Sequence, residues 1–366
     1  MRQTENDLIL FRKYPALSGK LPVIDLGNFP TPIHRLQHVG IENLWIKRDD
    51  LSSSVYGGNK IRKMEFILAA ARRKGARHLV TLGGIGTNHG LATAIFCDQL
   101  GIRCTLLLYH QPVTENVKLN LLLLGKYNAK LIYRKTLWRA MVSYLLLYRF
   151  KLPGAYFVYP GGSSTIGTIG YVNAAFELKE QIEQGTMPEP EVIFCPVSSG
   201  GTQAGLHLGV QLAGFETRVI GVRVMPSHLG PFQACTPNTV EKQIKRTYAF
   251  LKRRCRNLPA IDIRKPIIRQ DYFGKGYGLP TRVGSQAYHL MRAREGIVLD
   301  PTYSAKAFAA VLEYCRSHQA DRGPVLFWNT YNSTDLSGQA KQIDYRILPE
   351  SLHDFIKQKP VACELD

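Results

Sequence analysis

Glu191–Val197 reads EVIFCPV and runs directly into Ser198-Ser199-Gly200-Gly201-Thr202, after which Gln203–Ala213 has the look of a helix. A short apolar run that ends in small residues and gives way to a helix is a strand, a tight turn and the start of a crossover. Such a turn aims free backbone N–H groups at one point and suits a phosphate. Glycines let the backbone come close, and Ser199 and Thr202 add hydroxyl donors. The lysine of a Walker A loop and the spacing of GxGxxG are both missing. A plain strand-to-helix turn is the alternative account of the same residues.

The same rhythm extends in both directions. Ile61–Lys74 has Met64, Ile67, Leu68 and Ala71 at helical spacing, with Gly75 where a helix-ending glycine belongs. Strands are expected at His78–Leu82, Arg103–Tyr109, Ala129–Tyr133, Arg218–Val224 and Pro324–Trp328. Helices are expected from Thr87 or Asn88 through Cys97, from Thr114 to Gly125, over Thr281–Arg294 and over Ser304–His318. Strands separated by crossover helices give an α/β fold of largely parallel twisted sheets flanked by helices. At 366 residues there is room for two domains. No shift in composition marks a linker, so the domains are expected to interleave, with crossings near Lys60 and Gly162. The expected division is a large domain of 1–62 plus 172–366 and a small one of 63–171.

Composition narrows the class. Apolar residues are 45% and charged residues 20%, ordinary for a soluble globular chain. Met1–Asp7 does not form a secretory signal, and no apolar run reaches membrane-spanning length. Seven scattered cysteines without CxxC or Cys/His spacing read as reduced core fillers in a cytoplasm, with no metal site. The net charge of +19, clustered in part at Lys252, Arg253, Arg254 and Arg256, is compatible with nucleic acid or an anionic surface. No nucleic-acid motif accompanies it, and a solvated face is the expected reading. Leu137–Phe150, apolar and aromatic with Arg139 and Arg149 near its ends, reads as a packed helix; resting on a membrane is its alternative.

Two further turns carry chemistry-bearing residues. In Gly57-Gly58-Asn59-Lys60 a lysine sits at a helix start, where the positive helix end disfavours its charged form and exposes a nucleophilic amine. In isolation it reads first as a surface lysine. Gly83–His89, GGIGTNH, presents Thr87, Asn88 and His89 at a helix N-terminus, where a carboxylate could be received or a helix simply capped.

The order of these motifs resembles a known family. Ile46-Lys47-Arg48-Asp49-Asp50-Leu51, GGNK, TNH, Pro160-Gly161-Gly162-Ser163, SSGGT, Tyr277-Gly278-Leu279-Pro280 and Asp300-Pro301-Thr302-Tyr303 follow one another as in the D-cysteine desulfhydrase and 1-aminocyclopropane-1-carboxylate (ACC) deaminase family. The likeness runs from about Pro30 to Thr330. It implies a tryptophan synthase β-type fold with a pyridoxal 5′-phosphate (PLP) cleft between two α/β domains. It also implies that Lys60 holds PLP covalently and removes the substrate Cα proton, and that Asn88 bonds the PLP 3-hydroxyl. Ser199, Gly200, Gly201 and Thr202 would hold the phosphate, and Tyr277 and Tyr303 would flank the substrate. Thr87, Asn88 and His89 stand where the substrate carboxylate is met.

Three departures bear on the reaction. Gly86-Thr87-Asn88-His89 replaces the usual Gln-Ser-Asn-His, and Asn329-Thr330-Tyr331-Asn332 replaces His-Thr-Gly-Gly. Ser304 stands where the deaminase has a glutamate that pairs with the pyridine nitrogen, leaving Ser304 and Thr330, both neutral, as its nearest partners. The resemblance implies a PLP-dependent lyase of amino-acid catabolism, a cytoplasmic homodimer acting on a small amino acid. D-cysteine, cleaved to pyruvate, ammonia and hydrogen sulfide, is the leading substrate. ACC deamination is the alternative, and a drifted PLP-fold protein that binds a partner with its basic surface is a third reading.

Overall fold

The computed structural model describes residues 8–229, 232–317 and 323–361. Met1–Asp7, His318 and Cys363, about which the sequence raised expectations, lie outside them. The chain divides into two compact units. One takes the chain up to Phe66 together with Ser163–Thr334, and the other takes Ile67–Gly162 together with the described residues from Asp335 on.

The first unit is built on a six-stranded sheet in the order Ile33–Arg35, Leu44–Arg48, Val325–Asn329, Val192–Val197, Arg218–Arg223, Ile267–Arg269. Every pairing is parallel except the first. Its central strands are buried on both faces, the burial pattern of a parallel sheet covered twice. Alternate residues serve alternate faces: Ile193, Cys195 and Val197 meet the Thr165–Glu183, Gly201–Leu212 and Pro237–Arg254 helices. Val192 and Phe194 meet Arg282–Glu295 and Ser304–Arg316.

The second unit holds a four-stranded, wholly parallel sheet in the order Lys130–Tyr133, Arg103–Tyr109, His78–Gly84, Tyr156–Phe157. The His78 strand runs two residues past its expected end, because Gly83 and Gly84 still pair with Leu108 and Tyr109. Thr87 caps the Asn88–Gln99 helix by accepting from Gly90 N at 3.1 Å, and Thr114 caps Glu115–Lys126 through Val117 N at 3.3 Å. Leu137–Phe150 is helical, as Leu137–Val142, a π-turn over Ser143–Leu147, and Tyr148–Lys151. Among the described residues no helix is long and apolar enough to cross a membrane, and no cluster could hold a metal.

The basic run after residue 251 ends the Pro237–Arg254 helix, where cations complement the helix dipole. Lys252 Nζ donates to the carbonyls of Arg256 and Leu258, and the Arg254 guanidinium lies 3.5 Å over the Phe250 ring.

A buried ion cluster ties the first unit together. Arg62, three residues into the helix Asn59–Arg73, bonds Asp49 through Nε and Nη2 at 2.9 and 2.7 Å, and Glu177 through Nη1 at 2.8 Å. Lys47 Nζ reaches Glu177 Oε1 at 2.6 Å. Asp49 Oδ2 also accepts from Tyr171 Oη and Trp328 Nε1, each at 2.7 Å. Burial alone would raise the Glu177 carboxyl, but Arg62 and Lys47 outweigh it and hold the group well below the carboxylate range. Replacing Arg62 with Met leaves two carboxylates buried without their guanidinium. A loss of roughly 3–5 kcal/mol is expected in urea unfolding. Because the folded Glu177 pKa lies below the unfolded value, its contribution is complete above the ordinary 4.5 and fades as pH falls through that value and beyond. An Arg62→Met penalty under about 1 kcal/mol, or one unchanged on acidification, would show that the cluster does not carry this load.

Candidate active site

Lys60 is the second residue of the Asn59–Arg73 helix. The turn before it is tightly held. Gly58 has φ +85°, a left-handed conformation, and a Cβ there would lie 2.7 Å from Tyr331 O and 2.8 Å from Thr330 O. Gly58 N donates to Asp49 O at 2.8 Å, and Asn59 N to Thr330 O at 3.1 Å. Asn332 Oδ1 accepts from Gly57 N at 2.6 Å. The Thr330-Tyr331-Asn332 segment is therefore the wall against which the lysine turn is built, and its departure from the family pattern supplies a bond to that turn.

Lys60 Nζ donates to Asn59 Oδ1 at 2.7 Å, and Asn59 Nδ2 donates to Thr202 Oγ1 at 3.1 Å. One amide thus joins the lysine to the SSGGT loop. The Lys60 amine is brought down from 10.5 to about 8 by burial, against an opposing pull from Asp300. Burial, rather than the helix end that the sequence suggested, is the leading cause.

The loop itself has Gly200 at φ +83° as the residue entering the Gly201–Leu212 helix. Gly201 N donates to Ser163 Oγ at 3.1 Å, Ser163 Oγ lies 2.7 Å from Ser199 Oγ, and Lys63 Nζ reaches the same Ser163 oxygen at 3.3 Å. A Cβ on Gly201 would come within 2.5 Å of Ser163 Oγ and 2.9 Å of its Cβ. Two hydroxyls, a lysine and the Gly201 amide meet here at the start of a helix, a donor set that suits an anionic phosphate. Near the far end of the Lys60 turn, Asn329 Nδ2 is buried and finds no hydrogen-bond partner among the described residues. It is a donor waiting for an acceptor. The residues present fit a phosphorylated cofactor held covalently by Lys60.

Tyr277 and Tyr303 share a short hydroxyl–hydroxyl bond, their rings edge to face at 6.2 Å. Tyr303 is set by Asp300, whose Oδ1 accepts from Thr302 N at 2.8 Å and Tyr303 N at 2.7 Å. Ser304 Oγ accepts from Asp300 N at 2.6 Å, so this hydroxyl is already engaged at the helix start. Thr330 makes no side-chain hydrogen bond within the described residues, although its carbonyl holds Asn59. Asp300 is the residue that motif reading passed over. Its carboxyl is lifted from 3.8 to about 6 by burial, with Lys306 and Lys60 among the groups that oppose the lift. The DPTY run was visible in the sequence, but nothing there separates an interior acid from a turn-forming one.

Within the second unit Asn88 Oδ1 accepts from Asn120 Nδ2 at 2.8 Å, and that amide also holds Gly86 O at 2.9 Å. His89 is buried, its Nε2 lying 3.0 Å from Thr81 Oγ1, which donates to Val158 O at 2.9 Å. Those bonds occupy the ring nitrogen inside the unit. Thr87 accepts at the helix cap and keeps a hydroxyl proton to give.

The family described as pyridoxal-phosphate dependent enzyme matches residues 24–330. A D-cysteine desulfhydrase of Serratia proteamaculans is 34% identical over 338 residues, covering 89% of this chain and 98% of that protein. One from Klebsiella pneumoniae is 33% identical over 323 residues, covering 85% and 94%. Among solved structures, a crystal structure of an ACC deaminase homologue superposes with a TM-score of 0.74 at 29% identity, covering 93% of this chain and 99% of the other.

Capture of an aldehyde cofactor by Lys60 would require the neutral amine, so the Lys60 pKa would govern loading. Cofactor uptake by the apoprotein is expected to accelerate as pH rises through about 8 and to level off above it, well short of the ordinary 10.5. Asp300→Asn removes the charge that favours the ammonium form and should move that rise to lower pH. Stopped-flow absorbance across a pH series reads both, and an unmoved rise in Asp300→Asn would disconnect Asp300 from Lys60.

Proposed function

The chain belongs to the pyridoxal-phosphate dependent enzymes, and from that premise we propose that it cleaves D-cysteine, with water, to pyruvate, ammonia and hydrogen sulfide. The observation that carries the reading is the half-buried Lys60 amine, tied through Asn59 to Thr202 of the phosphate-type loop. When bound, the cofactor supplies the electron sink that stabilises negative charge on the substrate Cα.

The chain's own residues do the rest. Ser199, Gly200, Gly201 and Thr202 would hold the phosphate with backbone and hydroxyl donors. Lys60 would anchor the cofactor and, as a free amine, would take the substrate Cα proton, its pKa of about 8 suiting a base. The Tyr277 and Tyr303 hydroxyls are bonded to each other, and to this pair the proposal gives the return of a proton to the leaving sulfur. Ser304 and Thr330 offer the ring nitrogen no charge, and with Ser304 engaged by Asp300 the free hydroxyl is that of Thr330. Expulsion of a thiolate asks less of the sink than opening an unactivated cyclopropane. This favours D-cysteine over ACC, even though one structural relative is an ACC deaminase homologue. The assignments of Thr87, Asn88 and His89 to substrate carboxylate and cofactor hydroxyl rest on the resemblance alone.

A cytoplasmic homodimer belongs to the same proposal. Supporting the location, Cys97, Cys104, Cys195, Cys235 and Cys255 are free and buried, and Cys315 is free and partly so.

The holoenzyme is expected to release sulfide from D-cysteine and little 2-oxobutanoate from ACC. ACC opened faster than D-cysteine is cleaved would replace the desulfhydrase reading by the deaminase one, and no turnover of either would favour a drifted binding protein. Borohydride reduction should place the pyridoxyl label on Lys60 alone. Lys60→Ala should lose at least ~10²–10⁴ in turnover while retaining weak cofactor binding through the phosphate loop.

A further inference from the structure

The helical segment from Leu137 to Lys151 has two apolar faces, and only one is used by the fold. Ala140, Tyr144 and Tyr148 recur on one side and pack against Val80, Leu82 and Leu107 of the second unit's sheet. Tyr144 is edge to face with Phe157 at 5.3 Å. About 200° around the helix from those anchors, two residues further on in each case, lie Leu146 and Phe150. Phe150 is 84% exposed and Leu146 57%, with Leu145, Leu147 and Trp138 also exposed. Scattered apolar residues need no explanation, but five on one short segment do.

Charge is the second observation. From Glu115 to Glu177 the intervening sequence has no acidic residue and eight Lys or Arg. Arg139, Arg149 and Lys151 are exposed on the same segment as the leucines. The Arg149 guanidinium lies 4.9 Å over the Phe157 ring and the Lys151 ammonium 5.9 Å from the Tyr148 ring, so both exposed cations are held at the edge of the packed rings. Apolar side chains at the tip, cations beside them and no anion in the stretch make the arrangement of an interfacial helix.

We propose that this face of the second unit docks on an anionic phospholipid surface, Leu145, Leu146 and Phe150 entering the headgroup boundary while Arg139, Arg149 and Lys151 meet lipid phosphates. Contact is peripheral and needs no membrane-spanning helix. Salt should weaken it, because the cationic part acts over a Debye length.

The test is vesicle co-sedimentation of the full-length, cofactor-loaded protein. Vesicles of phosphatidylcholine mixed with phosphatidylglycerol should retain it, and phosphatidylcholine alone should not. Leu145→Ser/Leu146→Ser/Phe150→Ser should cut partitioning by ~10-fold or more. Arg139→Glu/Arg149→Glu should cut it by at least roughly fivefold for each position. Lys242→Glu/Arg246→Glu, exposed on the Pro237–Arg254 helix of the other unit, should change it far less. An unchanged absorbance spectrum and thermal midpoint show that each variant folds. The proposal falls if neither vesicle retains the protein, or if the Lys242/Arg246 control loses as much as the Arg139/Arg149 variant, which would mean diffuse charge. It falls equally if the serine variant turns a dimer into a monomer by light scattering, which would give the face to a second copy of the chain.

Discussion

Four charged side chains without access to water, Lys47, Asp49, Arg62 and Glu177, are the constraint around which the first unit is arranged. Each comes from a different place: the end of a strand, the turn after it, the helix bearing Lys60, and the long helix Thr165–Glu183. Such a cluster is weak evidence for stability in itself, since desolvation offsets much of the attraction. What it supplies is uniqueness. Asp49 is bonded by Arg62, Tyr171, Trp328 and Thr31 at once, and no slip of any of those elements keeps all four. Lys60 is two residues before Arg62, so the helix that presents the amine is pinned from its interior side by a network that never touches the chemistry.

The site inherits that rigidity through short connections. Asp49 O holds Gly58 N, Thr330 O holds Asn59 N, and Asn59 reaches both Lys60 and Thr202. Desolvation brings the Lys60 amine down to about 8, and the Asn59 amide to which it donates is neutral. Asp300 is handled in a similar way. It spends one oxygen on two backbone amides and keeps a raised pKa, leaving a modest negative field near Lys60 and the paired tyrosines.

Much of this is legible in the sequence because strand-to-helix turns demand small or capping residues at fixed places. SSGGT, GGNK and the Thr87 and Thr114 caps announce their elements, and the α/β fold with largely parallel sheets follows from the alternation. The long helices Thr165–Glu183 and Pro237–Arg254 are less audible. The first is buried over most of its circumference, so its apolar residues show no clean period. Glu177 looks like any helical glutamate until Lys47 and Arg62, more than a hundred residues away, are brought to it. Asn332 likewise reads as the loss of a glycine, whereas its amide supplies a bond to Gly57 that a glycine could not make. Long-range pairing of polar groups leaves no periodic trace.

Among the described residues the chain passes between units at three places, and these set an order of assembly. Gly125 is covered by Ile347 and Leu348, and Val113 O accepts from Val361 N, so the second unit is completed by residues synthesised after Thr334. During translation its four strands emerge early, yet the segment that closes over the Glu115–Lys126 helix arrives only after every described residue of the first unit has left the ribosome. Domains tend to fold as they emerge, with exposed apolar surface until they are finished. The nascent second unit must therefore wait, unfinished, through synthesis of nearly half the chain, and chaperone dependence in this protein should concentrate on that unit.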